Sequence, residues 1–327
     1  MPAVETVAGP VDVAALGRTL MHEHVFVLSA EHVQNHGAGA WWDEDERVED
    51  AAVQLRELTA RGITAIADPT VWGLGRHIPR IQRVAREVPG LAIIVATGIY
   101  TYNDLPFQYM HRGPGTILDG PEPMVRDFVR DLTEGIGDTG VRAAFLKCAV
   151  DEPGFTPGIE RILRAVAAAH RETGAPVTVH TASANHSGRR VVEILGKEGV
   201  DLSKVVIGHA GDSNDLDYLM ELADSGAILG MDRFGLDVAN PTPERVATVA
   251  ALCERGYADR MVLSHDTSCY IDWFGPDPEA LRPLLPNWNF RHISDDVLPA
   301  LLEKGVTEAQ IDQMLVQNPK RYFTTAK

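Results

Sequence analysis

The sequence of 327 residues has little cysteine, no long apolar run and a shortage of positive charge. Its three cysteines, Cys148, Cys253 and Cys269, show no CxxC spacing, which argues against a disulfide framework and against a thiolate zinc site. No apolar run reaches the roughly 18 residues that a membrane-spanning helix requires. The N-terminus lacks the basic and apolar regions of a signal peptide. We therefore expect a cytoplasmic protein with no membrane partner.

Positive charge is scarce because 30 Lys and Arg residues stand against 46 Asp and Glu residues, for a formal net charge of -16. Binding to a phosphate backbone requires basic patches, so this balance argues against a nucleic-acid partner. The apolar fraction of 45% and the charged fraction of 23% are ordinary for globular proteins and exclude a disordered chain. The composition fits a neutral or metal-bound small-molecule substrate.

Short apolar runs alternate with amphipathic segments along the whole chain. The runs predict strands at 20–26, 63–68, 91–97, 143–147, 177–180, 205–209, 227–231 and 261–264. The amphipathic segments predict helices that include 50–61, 158–173, 187–199, 215–225 and 243–256. Several of these segments end at or just before a helix-stopping glycine, namely Gly62, Gly174, Gly199 and Gly256.

This alternation predicts an α/β protein whose eight βα units close into a (β/α)8 TIM barrel, as a single domain over residues 1–327. The alternative is an open doubly wound sheet, but no GxGxxG or GxxxxGK[ST] motif follows an early strand. Residues 269–292 are rich in proline and tryptophan and follow the eighth strand. We expect them to form a long loop that covers the mouth of the barrel.

Candidate functional residues lie on or just after the predicted strands, where the active sites of such barrels are found. They are His22, His24, Lys147, His180, His209 and Asp266. His22 and His24 form an HxH pair that places both side chains on one face of the first strand. Lys147, at the end of strand four, must find a partner for its ammonium group or reach the rim. Each histidine alone has an ordinary structural explanation, but the set at barrel-unit spacing favours a functional site.

The segments that carry these residues resemble a known family. They are 17–25, Lys147 itself, 177–181, 207–209, 230–234 and 264–266, together with 317–323 near the C-terminus. This set resembles the phosphotriesterase family of the amidohydrolase superfamily over essentially the whole chain, with all six ligand positions filled. The resemblance also implies a homodimer, which the composition does not show.

The resemblance implies a binuclear metal centre at the C-terminal ends of the strands. The more buried ion would be bound by His22, His24 and Asp266, and the more exposed ion by His180 and His209. Lys147, carboxylated by carbon dioxide to a carbamate (N6-carboxylysine), would bridge both ions, because a carbamate offers two anionic oxygens where an amine offers none. Imidazole and oxygen ligands suit zinc as the first choice, with cobalt, manganese or iron as alternatives.

The implied nucleophile is a hydroxide that bridges the two ions. Asp266 would take its proton and pass it to the leaving alkoxide. Asp212 matches a family aspartate that relays this proton outward; the alternative is a helix N-cap. Asp232, just after the seventh strand, could likewise have either a catalytic or a structural role.

Three features resemble the lactonase branch of the family. Tyr100 matches a tyrosine beside the metals whose hydroxyl would contact the lactone ring oxygen or carbonyl, or it is only a rim aromatic. Arg233 would hold polar substrate groups, or it forms structural ion pairs. The third is the loop after strand eight, which would form an apolar channel for an acyl chain, pin itself to the barrel or form a subunit interface. Its residues are Cys269, Ile271, Trp273, Phe274, Leu284, Leu285 and Trp288.

The resemblance therefore implies a metal-dependent lactonase that hydrolyses N-acyl-homoserine lactones and other γ- and δ-lactones and so degrades quorum signals. Hydrolysis of organophosphate triesters is the expected side activity. One alternative is a primary phosphotriesterase (aryldialkylphosphatase), and another is an amidohydrolase that acts on an amide or a cyclic ureide. A third is a non-catalytic binding protein on the same barrel, which would be expected to lose a ligand.

Overall fold

The computed structural model describes residues 2–37, 43–275, 280 and 283–324. The strands in these residues are β1 (Ala3–Val4), β2 (Val11–Asp12), β3 (Arg18–Leu20), β4 (His24–Val27), β5 (Ile63–Asp68), β6 (Ala92–Gly98), β7 (Phe145–Val150), β8 (Val177–Thr181), β9 (Val205–Gly208), β10 (Ile228–Met231), β11 (Met261–Leu263) and β12 (Ser268–Ile271). The helices are α1 (Ala30–His36), α2 (Glu44–Thr59), α3 (Ile78–Glu87), α4 (Phe107–Met110), α5 (Pro123–Thr133), α6 (Pro157–Thr173), α7 (Ser187–Lys197), α8 (Leu216–Asp224), α9 (Thr242–Glu254), α10 (Leu298–Glu303), α11 (Glu308–Asp312) and α12 (Asn318–Phe323).

Eight of the strands pair in parallel in the order β3, β5, β6, β7, β8, β9, β10, β11. The seam between β11 and β3 is bridged just beyond the strand ends. There the His22 N–H donates to Ser264 Oγ at 2.8 Å, and the Asp266 N–H donates to the His22 carbonyl at 3.0 Å. Each strand lies beside the preceding barrel strand, so the sheet has no point where the strand order reverses. The (β/α)8 barrel prediction is confirmed, and the doubly wound alternative is wrong.

The predicted first strand is two strands in the structure. β3 ends at Leu20, and β4 begins at His24 and pairs in parallel with β12, with His24 opposite Ser268. The prediction that both histidines of the HxH pair share one strand face is therefore wrong. His22 lies in the break, because its N–H donates to a side-chain oxygen, Ser264 Oγ, whereas the His24 N–H donates to the backbone carbonyl of Thr267 at 2.8 Å.

Two further boundaries differ from the predictions. β7 continues to Val150, so Lys147 lies within the strand and not at its end. The Lys147 side chain does not end the strand, because the residue is only 1% exposed and the apolar residues after it continue β7. The predicted loop at 269–292 begins inside β12. Its residues 276–279 and 281–282 lie outside the described part of the chain.

The outer helices follow ordinary stop and start signals. In α6, the Thr156 hydroxyl accepts the N–H of Ile159 at the N-terminus, and Gly174 closes the C-terminus with a left-handed φ of 72°. One face of α6 packs its apolar side chains on the barrel, including Ile162, Leu163 and Val166. Within the described residues, no helix combines the length and apolar character that crossing a membrane would demand.

One end of the barrel is filled by side chains. Ala65, Ile94, Phe145, Val206, Ile228 and Val262 belong to the inner core. Tyr322 and Phe323 of α12 pack on Phe145, with ring centroids 6.5 and 6.1 Å away, and Tyr322 shares a hydrogen bond of 2.9 Å with Thr178. Because aromatic side chains occupy the N-terminal end, the polar groups that the strands carry gather at the opposite, C-terminal end.

Candidate metal centre

The six predicted ligands come together around a cavity of about 170 Å³ at the C-terminal end of the barrel. The cavity is lined by His22, His24, Lys147, His180, His209 and Asp266, and further by Tyr100, Arg233, Leu236, Ser268, Ile271, Trp273, Phe274 and Trp288, with Val27 and Leu74. All the polar members of the first group are buried except Asp266, whose side chain is 13% exposed.

His22 and His24 converge on one oxygen of Asp266. Their Nε2 atoms lie 3.2 and 3.3 Å from Asp266 Oδ1. On the far side of its ring, His24 Nδ1 lies 2.7 Å from the Thr70 hydroxyl, which itself donates to Asp68 at 2.5 Å. The Thr70 oxygen must therefore accept from Nδ1–H, which leaves the Nε2 lone pair of neutral His24 directed at Asp266.

His180 and His209 face each other in the same way. His209 Nδ1 donates to Asp232 Oδ1 at 2.9 Å, and His22 Nδ1 donates to Asp232 Oδ2 at 2.9 Å. His180 Nε2 donates to Asp151 Oδ2 at 3.1 Å. With these protons assigned, His209 Nε2 and His180 Nδ1 are both lone pairs, only 2.8 Å apart. Burial lowers the pKa of His180, and that of His209 well below its ordinary value, so both rings are neutral.

The arrangement fits divalent cations because it aims lone pairs at one another. Such contacts are repulsive unless a proton or a cation lies between them, and imidazole nitrogen with carboxylate oxygen is a common donor set for zinc and related metals. Burial disfavours the charged ring of His24, but hydrogen bonds to Asp266 and Asp68 outweigh it and raise the pKa to about 9, so the space between His24 and Asp266 favours positive charge. The ligand atoms of His22, His24 and Asp266 are close enough together to hold one ion.

Asp232 lies behind the ligands and not among them. His22, His209 and Asp232 are also close enough to hold an ion, but both histidines use their Nδ1–H groups to reach this carboxylate. The His209 N–H donates to it as well, at 2.7 Å. Burial opposes ionisation of Asp232, yet His209 and His22 hold its pKa far below the usual range. Asp232 therefore fixes the tautomers of two ligands, as carboxylates behind metal-bound histidines do.

Lys147 is a buried amine with no carboxylate in salt-bridge distance within the described part of the chain. Its Nζ lies 3.3 Å from His22 Nε2. Burial lowers the pKa of Lys147 to about 8, and a neutral amine is the form that can react with carbon dioxide. The neighbouring strand approaches closely: Gly98 has a φ of 141°, and a Cβ there would lie 1.8 Å from the Lys147 carbonyl oxygen. Only glycine fits at this point.

Arg233 links Asp266 to Asp212. Its Nε donates to Asp266 Oδ2 at 3.0 Å, and its terminal nitrogen donates to Asp212 Oδ2 at 2.9 Å. Asp212 also accepts from the buried Arg245 at 2.6 Å. The N-cap interpretation of Asp212 is wrong, because Asp215 caps α8. A guanidinium does not release its proton, so Arg233 itself passes no proton between the two carboxylates; Asp212 holds Arg233 in place, and its role in a proton relay stays a prediction.

Tyr100 lies inside the cavity wall. Its ring meets the ring of His180 edge to face, with centroids 5.3 Å apart, and its hydroxyl donates to Asp151 Oδ2 at 3.0 Å. The structure thus places Tyr100 beside a predicted metal ligand, in a cavity that Arg233 also lines.

The described part of the loop after strand eight supplies apolar side chains to the cavity. Ile271, Trp273, Phe274 and Trp288 line it, and Trp288 also pins the loop by donating to the His265 carbonyl at 3.0 Å.

Three other loop residues lie elsewhere. Cys269 does not line the cavity: Ser268 and Ile271 of β12 do, whereas Cys269 packs in the outer core. Leu284 is 71% exposed, and Leu285 lines an adjacent cavity.

Some residues of the site escaped the sequence reasoning. Asp151 directly follows β7. Because the sequence predicts that this strand ends at Lys147, the lysine and not Asp151 is the candidate at the strand end. Asp68 is the last residue of the predicted strand 63–68, so its position as an acid at a strand end could have identified it. Glu23 and His265 are fully buried and paired at 2.7 Å. In the chain, Glu23 lies between His22 and His24, and His265 directly precedes Asp266. No sequence spacing indicates that Glu23 and His265 contact each other.

Known proteins are similar to this chain over nearly its whole length. The model of the Phosphotriesterase family matches residues 2–323. The Phosphotriesterase homology protein of Mycobacterium tuberculosis (strain ATCC 25618 / H37Rv) is 56% identical over 324 residues, which cover 99% of this chain and 98% of that protein. The Aryldialkylphosphatase of Saccharolobus solfataricus is 38% identical over 309 residues, or 94% of this chain and 95% of that protein.

A solved structure of the phosphotriesterase from Mycobacterium tuberculosis superposes with a TM-score of 0.94 at 56% identity and covers 99% of each chain. The chain belongs to the phosphotriesterase family. This is a family of hydrolases that use divalent metals, and the histidine and aspartate groups described above could bind such ions.

Proposed function

We propose that this chain is a metal-dependent lactonase that hydrolyses N-acyl-homoserine lactones and other γ- and δ-lactones, with organophosphate triester hydrolysis as a side activity. His22, His24 and Asp266 hold the more buried ion, His180 and His209 hold the more exposed one, and Lys147 joins them as a carbamate. When bound, the ions polarise the substrate's carbonyl oxygen and make a water molecule acidic enough to attack near neutral pH.

The observation that carries the proposal is the division of the cavity into a polar floor and an apolar mouth. The floor holds the predicted ligands, with Tyr100 and Arg233 beside them. The mouth is formed in part by Trp273 and Phe274, which are 50% and 52% exposed. A lactone with an acyl tail has the same division, because a polar ring carries a flexible apolar chain. Apolar walls with a few placed polar groups are typical of small-molecule sites.

The side chains around the floor have separate roles in this proposal. Asp266 directs Oδ1 at the ligand histidines and Oδ2 at Arg233, so it stays ionised and accepts the proton released during attack. The alkoxide that leaves on ring opening recovers this proton. Arg233 stays charged and orients Asp266 on one side while offering hydrogen bonds to polar substrate atoms on the other. Tyr100 limits the space over His180 where the ring would lie.

A primary phosphotriesterase is the second candidate. It is favoured by the Aryldialkylphosphatase name of the Saccharolobus solfataricus relative, which is 38% identical. A phosphotriester is also neutral and presents a polar double-bonded oxygen, so the same floor suits it. The two candidates differ in which substrate the mouth of the cavity favours.

The deciding experiment measures kcat/KM for a long-chain acyl-homoserine lactone and for a phosphotriester on the same zinc-loaded preparation. We expect the lactone value to be higher by several orders of magnitude; an equal or higher phosphotriester value would reject lactonase as the primary activity. Removing the metal with a chelator should abolish both activities, and zinc should restore them. Failure to hydrolyse either substrate in the loaded state would favour a binding protein or an amide hydrolase.

The homodimer stays a prediction, which light scattering would test by measuring the molar mass of the protein in solution.

A further inference from the structure

Asp151 occupies a fixed position at the end of β7. Its Oδ1 accepts the N–H of Glu152 at 2.8 Å, and its carbonyl accepts the N–H of Gly154 at 2.8 Å. This turn orients the carboxylate so that its second oxygen, Oδ2, is directed into the site. The side chain is 17% exposed, so water reaches it only in part.

The single oxygen Oδ2 serves two different partners. It accepts from His180 Nε2 at 3.1 Å and from the Tyr100 hydroxyl at 3.0 Å. One partner is a proposed ligand of the exposed ion, and the other lies in the wall where the substrate would bind. The two rings also contact each other edge to face. Asp151, His180 and Tyr100 therefore form a group in which each residue contacts the other two.

The tautomer of His180 depends on this contact. Because Nε2 carries the proton that Asp151 accepts, Nδ1 keeps its lone pair and faces His209 Nε2 at 2.8 Å. If Asp151 were lost, His180 could carry its proton on Nδ1 and donate it to His209 across that short distance. This internal hydrogen bond would occupy both lone pairs that the exposed ion needs.

We infer that Asp151 is a positioning residue that keeps the His180–His209 pair open for the more exposed ion and couples that pair to Tyr100. The metal half of this inference rests on the metal centre, and the Tyr100 half rests on the proposed lactonase function. Carboxylates that orient metal-bound histidines typically change metal affinity by about 10–100-fold when they are removed.

The test compares Asp151→Ala and Asp151→Asn with Glu152→Ala and Glu152→Gln. Glu152 is the matched control, since it is the next residue, carries the same charge and, among the described residues, accepts a side-chain hydrogen bond from Tyr102, at 3.3 Å, and from none of the proposed ligands. Each variant is loaded with zinc and dialysed against a graded chelator, and the zinc bound per chain is counted. For both Asp151 variants we expect one of two ions to bind about 10–100-fold more weakly, while both Glu152 variants match the wild type.

Asp151→Asn should be at least as damaging as Asp151→Ala. The Glu152 N–H prefers the amide oxygen, which turns the amide nitrogen toward His180 and demands the wrong tautomer. The thermal melting of each variant is measured first. If Asp151→Ala does not fold, the asparagine variant, which preserves shape, decides alone. Wild-type zinc affinity for both ions in a folded Asp151 variant would overturn the inference.

Coupling to Tyr100 is measured with a double-mutant cycle on lactone hydrolysis that combines Asp151→Ala with Tyr100→Phe. If the two residues act as a unit, the double variant loses less in kcat/KM than the product of the two single losses. If the two single losses in kcat/KM simply multiply in the double variant, Asp151 and Tyr100 act independently and the proposed coupling to Tyr100 is wrong. If the wild type hydrolyses no lactone, the proposed function fails, but the zinc counts still decide the role of Asp151.

Discussion

Replacing Asp232 with asparagine should weaken the more buried metal ion selectively. In the wild type, Asp232 Oδ1 accepts both the backbone N–H and Nδ1–H of His209, at 2.7 and 2.9 Å, and Oδ2 accepts Nδ1–H of His22 at 2.9 Å. An asparagine has one accepting oxygen, and the two donors of His209 favour keeping it at the Oδ1 position. The amide nitrogen then faces His22 and forces that ring to place its proton on Nε2, where the ion should bind.

The size of the effect follows from the number of ligands disturbed. Loss of a partner behind one metal-bound histidine costs about 10–100-fold in affinity, or about 1.4–2.8 kcal/mol at 1.4 kcal/mol per tenfold. Asp232→Asn disturbs His22 and spares His209, so this loss should fall on the buried ion. Asp232→Ala removes the partner of both rings and should weaken both ions.

The assay is a zinc titration against a competing chelator, with the bound ions counted per chain. Asp131→Asn is the control, because Asp131 is also buried and pairs with Arg76 at 2.8 Å but touches none of the proposed ligands. That variant should lose stability and keep its zinc. The reasoning is refuted if folded Asp232→Asn binds both ions as the wild type does, or releases the more exposed ion first.

Four further predictions concern other parts of the site. Lys147→Ala should hold clearly fewer than two ions per chain and recover part of them with short carboxylic acids; retention of two ions would exclude a bridging role. In the wild type, burial lowers the pKa of Lys147 to about 8, so zinc reconstitution at a fixed concentration of dissolved carbon dioxide should speed up as the pH rises toward about 8 and the amine loses its proton. A pH-independent rate would contradict this. Trp273→Ala should reduce kcat/KM more for long acyl chains than for short ones, and an equal reduction across a chain-length series would exclude the channel. In Glu23→Gln, the backbone N–H and Nδ1 of His265 lose the carboxylate that accepts their hydrogen bonds. This change should lower the free energy of unfolding by about 1–3 kcal/mol. Urea denaturation would show this, and an unchanged midpoint would contradict it.

The barrel and the ligand set could be predicted from the sequence because both follow from short-range periodicity. Apolar runs separated by amphipathic segments specify βα units, and closure brings every strand end to one rim. Residues placed near those ends, such as His180 and His209, therefore had to meet. The β6, β8 and β10 boundaries lie within one residue of the predicted ones for the same reason.

The contacts behind the ligands could not be predicted because they depend on which strands become neighbours and on local turns. Asp266 has a left-handed φ of 52°, and no pattern in the chain indicates this. Likewise, the split between β3 and β4 arises from hydrogen bonds across the barrel seam. Cys269 lies in a strand, β12, where the sequence predicts a loop, and its side chain packs in the outer core and not in the cavity.

The most direct test of the central claim is a crystal structure of the zinc-loaded protein with anomalous scattering data. We expect two zinc peaks per chain. One should lie at coordination distance from Nε2 of His22 and His24 and from Asp266, the other should contact Nδ1 of His180 and Nε2 of His209, and carboxylate density should extend from Lys147 Nζ to both. A single peak, or an unmodified lysine beside two ions, would contradict the proposed centre.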